Sequence, residues 1–248
     1  MNPADTPTDT FAVWESAVAF RLFADQQEPA LSIPDQVAAR LGERILDGRM
    51  PPGARIAEQE VADEFAVSRG PVREALRILE REGLVTILPR RGALVTELGV
   101  DELRDLMEIR AGLFELVVRK LADRPHPELL ALLEAGVRRL EELAPQADQG
   151  ALYAETVYRI HILCARLSGN SRLQRMLTGL SLQTLRYSKL GLASVARRQR
   201  SVQLWREATE AFKVGDVERT VRLTRLRIEE SGDEVSRLWQ QRGAGGDA

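Results

Sequence analysis

The sequence predicts a mainly α protein: a small helix-turn-helix unit carrying a β-hairpin wing, followed by an all-α bundle of about six helices. Three observations carry this expectation. Residues 56 to 92 read as a short helix, a tight turn, a second helix led by arginines, and a hairpin. Beyond Gly99 the apolar residues recur at helical spacing with almost no strand signal. The connectors between those helical stretches are short, as in a packed bundle.

Residues 1 to 10 carry no apolar periodicity and are expected to be disordered, whereas Phe11, Trp14, Val18 and Leu22 share one face of an amphipathic helix ending near Asp25. Its few basic residues favour a packing arm over a membrane-surface helix. Ser32 followed by Asp35 marks a capped helix start, and Val37, Leu41, Ile45 and Leu46 form the apolar face. Gly48, Pro51, Pro52 and Gly53 end that helix. The next is expected to begin near Ala57 and to bury Val61, Ala62 and Phe65, with Gln59, Glu60 and Asp63 outside.

The following helix starts at Ser68, whose hydroxyl is placed to accept from an orphan N–H of the first turn. Pro71 falls in that turn, where its missing N–H is harmless. Val72, Ala75, Leu76 and Leu79 form an apolar stripe, while Arg69, Arg73 and Arg77 line the opposite side. Gly83 supplies the stop. The run Val85, Thr86, Ile87 and the run Ala93, Leu94, Val95, Thr96 then make a hairpin whose tip, Pro89 to Gly92, is cationic.

Further helices are expected near 101–123, 127–144, 150–168, 171–190, 194–214 and 216–241. Ser171 with Gln174 reads as a capping box, and Asp216 follows a stop at Gly215. The organisation this implies is an N-terminal extension over 1–30, a winged helix-turn-helix over 31–97, a helical domain over 98–242 and a disordered tail over 243–248.

The stretch from Val37 to Val95, with its string VSRGPVREAL followed by EGLV and RRG, resembles the DNA-binding domain of the GntR family of bacterial transcription regulators. The resemblance covers about a quarter of the chain and implies a double-stranded operator as partner. By position it assigns DNA contact to Gln59 on the positioning helix, to Ser68, Arg69, Gly70 and Arg73 on the recognition helix, and to Arg91 and Gly92 at the wing. It also implies that the recognition helix enters the major groove and the wing the minor groove. Arg69 is then the candidate for a bidentate guanine contact, with Arg73 and Arg91 for phosphate or groove. An arginine face alone is usually a solvated surface, but here it comes with a helix start, a turn and a wing. Residues 66 to 92 hold six arginines against three glutamates, while the whole chain has a net charge of −2. Positive charge is thus concentrated on one surface, which favours a limited set of salt-sensitive phosphate contacts.

The stretches LMEIRAGLFELVVRKLA, IHILCARLSGN and AFKVGDVERTVRLTRLRI resemble, in order and spacing, the FCD domain of the FadR-type branch of that family. Many members hold a divalent metal through an aspartate and three histidines. Those four positions fall here on Val157, His161, Trp205 and Arg227, and His126 and His161 are the only histidines in the chain. The ligand number is inadequate, so neither a metal nor any other cofactor is expected. Phe114 stands where many relatives carry a glutamate.

Arg227 in a ligand's place suggests that a guanidinium draws in the anionic effector directly, with Arg110 as a second fork, His161 as donor or acceptor and Trp205 beside them. The other reading is that the arginines pair with acids such as Glu108 or Glu230 and that Trp205 fills the space. His161 also has a plain reading as a hydrogen-bonded core residue, and Cys164 as buried filler.

One cysteine excludes an internal disulfide framework, no apolar run approaches the ~20 residues of a membrane span, and the N-terminal segment lacks a secretory pattern. The expected address is the cytoplasm, with no membrane partner. No nucleophile-base pair, phosphate loop or metal cluster marks an enzyme. The expectation is therefore a homodimeric, ligand-responsive repressor; an effector-independent dimeric regulator with a purely structural bundle is the alternative.

Overall fold

The computed structural model describes residues 31–88, 92–124 and 126–244. The expected arm at Phe11, Trp14, Val18 and Leu22, the wing-tip Arg91, and residues 245–248 of the expected tail lie outside the described residues. The described residues fall into two compact units, one ending at Leu98 and one starting at Gly99.

In the first unit, α1 (Ile33–Leu46) buries Val37, Ala38, Leu41, Ile45 and Leu46. Ser32 caps it, accepting from the Asp35 amide and donating to the Asp35 carboxylate at 2.6 Å. A two-residue strand β1 (Arg55–Ile56) leads into α2 (Glu58–Glu64), and α3 (Arg69–Arg81) follows. Val61 and Ala62 of α2 are buried as expected. Phe65 is not: it is half-exposed, roofed by the guanidinium carbons of Arg40 and Arg44 at 5.7 and 5.9 Å from its ring. The stripe Val72, Ala75, Leu76, Leu79 is fully buried, largely against α1.

The hairpin is β2 (Val85–Leu88) and β3 (Gly92–Val95), antiparallel, with Val85 opposite Val95 and Leu88 opposite Gly92. Gly92 has φ +87, a backbone state that a side chain would strain. β1 adds to the far side of β3, Arg55 opposite Leu94 and Ile56 opposite Ala93, giving the order β1-β3-β2. Two residues carry no alternation, so β1 leaves no period-2 signal in the sequence. The Ile87 amide donates to the Glu80 carboxylate at 3.2 Å, which fastens the hairpin to α3.

The second unit contains α4 (Val100–Asp123), α5 (Leu129–Leu143), α6 (Gly150–Leu167), α7 (Ser171–Gly191), α8 (Val195–Lys213) and α9 (Val217–Ala244). These six helices are the all-α bundle that the sequence predicts. α9 runs three residues past the expected helix end at 241. α4 and α9 pack together most extensively, and α6 lies among α4, α5, α7 and α8. The α7 cap is a correction: Asn170, not Ser171, is the N-cap, its carboxamide oxygen accepting from Arg172 N at 3.2 Å and Leu173 N at 3.1 Å. The Asp216 carboxylate accepts from Arg219 N at 3.0 Å at the start of α9.

Arg198 has no exposed surface, and its guanidinium makes no ion pair with an acid among the described residues. Its guanidinium donates to the carbonyls of Ala144, Gln146, Leu192 and Ala193 at 3.2, 2.5, 3.0 and 2.5 Å. These carbonyls follow the C-termini of α5 and α7, where helix dipoles favour a cation. No helix among the described residues is long and apolar enough to cross a membrane.

Candidate functional site

On the first unit, α2 and α3 present Gln59, Ser68, Arg69, Gly70 and Arg73 together as exposed residues, with the half-exposed Gly92 at the hairpin. Ser68 is the N-cap of α3 with extended φ and ψ, but its hydroxyl makes no capping hydrogen bond, which corrects that expectation. The partner a cap normally uses is the N–H three residues on, and Pro71 has none. The hydroxyl is left facing solvent at the helix N-terminus, where backbone amides and dipole together suit a phosphate oxygen.

Glu58 organises the arginines, and sequence reasoning missed it. Its carboxylate accepts from Arg73 Nε at 2.9 Å and Arg69 Nη2 at 3.2 Å. Partial burial works to raise the Glu58 pKa, but the bonds and charges of Arg73 and Arg69 outweigh it and hold the carboxyl below its ordinary value. Gln59 donates to Asp63 at 2.8 Å, and Arg77 to Glu74 at 2.8 Å. A groove of about 140 Å³ lies between α3 and the hairpin, walled by Glu58, Arg73, Arg77, Ile87 and Gly92.

On the second unit, four helices bring the remaining predicted residues together: Arg110 from α4, His161 from α6, Trp205 from α8 and Arg227 from α9. All four are buried. Arg110 Nη2 lies 2.9 Å from His161 Nδ1, and Arg227 Nη1 lies 3.0 Å from His161 Nε2. The Arg227 guanidinium carbon is 3.4 Å from the centre of the Trp205 ring, and Phe114 stacks on His161 at 4.3 Å. Arg110 also donates to Thr184 Oγ1 at 3.3 Å.

The imidazole is over-subscribed with donors. A guanidinium can only donate, and a neutral imidazole has a single accepting nitrogen. One of the two contacts is a hydrogen bond; the other sets N–H against N–H. Burial and the two cations hold the His161 pKa well below its usual value, so protonation offers no relief. Burial pulls Arg110 and Arg227 down to about 10 and about 9, still above neutrality, so both remain cationic. Glu230 pairs instead with Arg197 and Arg200, each at 3.0 Å, and Glu108 is exposed. Neither Arg110 nor Arg227 touches a carboxylate among the described residues, and the Nε of each is buried without a partner, as is Trp205 Nε1.

Two chambers flank this constellation. One of about 50 Å³ is walled mostly by apolar residues, among them Phe114, Val117, Leu121, Leu133 and Phe212, together with His161, Cys164, Arg227 and three threonines. The other, about 20 Å³, is walled by Arg110, His161, Arg227, Ser188, Ser201 and Ser231. Cys164 is buried in an apolar wall that raises its thiol to about 12, which keeps it protonated and inert. Among the described residues no three His, Cys, Asp or Glu side chains cluster as metal ligands would.

The profile of the family described as "Bacterial regulatory proteins, gntR family" matches residues 34–95, and that of the FCD domain matches residues 105–230. The HTH-type transcriptional regulator YdhC of Bacillus subtilis is 33% identical over 141 residues, 56% of this chain and 62% of that protein. The regulator BphR of Paraburkholderia xenovorans is 29% identical over 206 residues, 81% of this chain and 84% of that protein. Over the aligned region, the chain spans from about half to just under two thirds of the length of the first relatives it matches. In fold it is similar to Escherichia coli McbR/YncC (TM-score 0.67, 22% identity, covering 86% of this chain and 99% of that one). A transcriptional regulator GntR from Rhodococcus sp. RHA1 aligns at TM-score 0.70 and 20% identity, covering 83% of this chain and 98% of that one. These relatives are regulators and not enzymes. With its winged helix-turn-helix and its FCD domain, the chain belongs to the GntR family of bacterial regulatory proteins.

Proposed function

We propose that this protein is a cytoplasmic homodimeric repressor whose hold on a double-stranded operator is set by a small anion bound in the helical domain. Residues 31–97 read the DNA and residues 98–242 bind the effector and pair the protomers, with residues 1–30 as an accessory arm. The observation that carries the DNA reading is the exposed Arg69 and Arg73 edge of α3, beside the hairpin and next to an unused cap hydroxyl. Arg69 reads a base edge; Ser68, Gly70, Arg73 and Gln59 with Arg91 and Gly92 fix register on the backbone. Two such heads related by a two-fold match a palindromic site. Repression has support in the 32% identity over 130 residues to the gluconate operon transcriptional repressor of Bacillus licheniformis, over 50% of this chain and 53% of that one.

The effector reading rests on two buried guanidiniums that share one imidazole and, among the described residues, meet no acid. An anion among Arg110, His161 and Arg227, against Trp205, supplies the missing acceptors. It shifts operator affinity only so far as it favours one placement of the reading heads over another. The test is fluorescence anisotropy on promoter fragments with and without organic acids, with calorimetry on wild type and Arg227→Ala. Identical ligand response in both proteins rejects the pocket; no retardation of any promoter fragment rejects the DNA reading.

A further inference from the structure

We infer that the bundle's ligand is a monocarboxylate with a short hydrocarbon tail, its head in the serine-lined chamber and its tail in the apolar one. This rests on the effector reading above and narrows it to a chemical class.

The head follows from the smaller chamber. Arg110, Arg227 and Ser231 all line it, and Arg110 Nε, Arg227 Nε and Ser231 Oγ are buried without a partner. These groups lack acceptors, and one of the two guanidinium contacts to His161 is a donor facing a donor. A carboxylate is acceptor-only and takes a guanidinium fork in its plane. Its two oxygens can receive Arg110, Arg227, Ser231 and the N–H of His161 at once. The chamber of about 20 Å³ is near the size that holds a single water-sized group, which favours a small planar carboxylate over bulkier phosphate or sulfonate heads.

The tail follows from the larger chamber. Besides His161 and Arg227, which line both chambers, its surface is mostly apolar, with Phe114, Val117, Val118, Leu121, Leu133 and Phe212 outweighing three threonines, of which Thr220 already donates to the Asp216 carbonyl. A second carboxylate would find no cation in that apolar part, and a polyol chain would give up more hydrogen bonds to water than a few threonine hydroxyls return, whereas methylenes are driven in. The volume, about 50 Å³, suits a tail of a few carbons.

The experiment is calorimetric titration of the full chain, in chelator, with propionate, butyrate, pentanoate, hexanoate, hexanamide, succinate and gluconate. Affinity is expected to rise about fourfold per methylene, the equivalent of one buried CH₂, until the chamber is full. Hexanamide should bind at least about tenfold more weakly than hexanoate, because it forfeits the charge-assisted fork. Val118→Phe, which fills the apolar chamber, should erase the chain-length gain, so that hexanoate binds no more tightly than propionate; a circular-dichroism melt checks that it folds. A flat chain-length series, hexanamide equal to hexanoate, or tighter Arg227-dependent binding of succinate or gluconate overturns this inference and leaves the effector reading standing. No binding by any of the acids overturns both.

Discussion

The guanidinium of Arg227 lies against the Trp205 ring at 3.4 Å, a cation stacked on an indole with no acid in reach among the described residues. Stacking of this kind contributes about 2 kcal/mol when desolvated, against several kcal/mol for removing an ion from water. The residue therefore costs the fold stability. Arg227→Met keeps most of the volume and removes the charge, and should raise unfolding free energy by about 1 to 4 kcal/mol in chemical denaturation while abolishing anion binding. A less stable variant that still binds the anion contradicts the assignment.

On the DNA side, Arg69→Ala should cost about 1 to 3 kcal/mol at the operator and relax preference at one base position. Arg73→Ala should weaken all sequences alike and lower the salt slope by about 1. Anisotropy titrations at several salt concentrations separate the two patterns.

Glu58 restrains both arginines, so Glu58→Gln keeps the shape and removes the charge that holds them. Affinity for unrelated DNA should rise, as a negative charge is lost beside the phosphates, and the operator-to-nonspecific ratio should fall by about tenfold as the arginine forks lose their alignment. An unchanged ratio means that Glu58 does not set their direction.

His161 carries a pH signature. Its folded pKa lies well below the ordinary 6.5, so the unfolded chain takes up a proton first on acidification. The neutral-state contribution is present in full above 6.5, declines as pH falls from there, and is gone once the folded value is passed. Wild type should thus lose stability below pH 6.5 more steeply than His161→Leu, as read from denaturation midpoints across pH 5 to 8.

Gly191 ends α7 where α9 passes close: a Cβ there would sit 2.8 Å from the Ser231 carbonyl oxygen and 3.1 Å from Val235 Cγ2. Gly191→Ala forces the helices apart and should cost about 1 to 3 kcal/mol. Because Ser231 also walls the smaller chamber, propionate binding should weaken in the same variant.

The sequence shows most readily what repeats at short range. The stripe Val72, Ala75, Leu76, Leu79 and the helical stretches after Gly99 follow a period that burial imposes, so both the α3 face and the six-helix bundle were legible. The grouping of His161, Trp205 and Arg227 is suggested by resemblance to a metal-binding arrangement, with Arg110 added as a second guanidinium, and the fold brings all four together. What stayed hidden depends on distant partners. Glu58 is 11 and 15 residues from the arginines it holds, and nothing in its helix distinguishes it from Glu60. Arg198 sits in a run with Arg197 and Arg200 that reads as a solvated face. Phe65 looked like core because its spacing is right; the planes of two arginines cover it instead of a hydrophobic layer. Ser68 failed to cap because of Pro71, a local conflict that the sequence does contain.

Arg198 has a practical consequence for handling the protein. Its counter-charge is a ring of four backbone carbonyls shielded from water, so dissolved ions have no route to compete for it. Molar sodium chloride that strips bound nucleic acid during chromatography should leave the joint between α5 and α7 intact, and the eluted bundle should still be folded for titration.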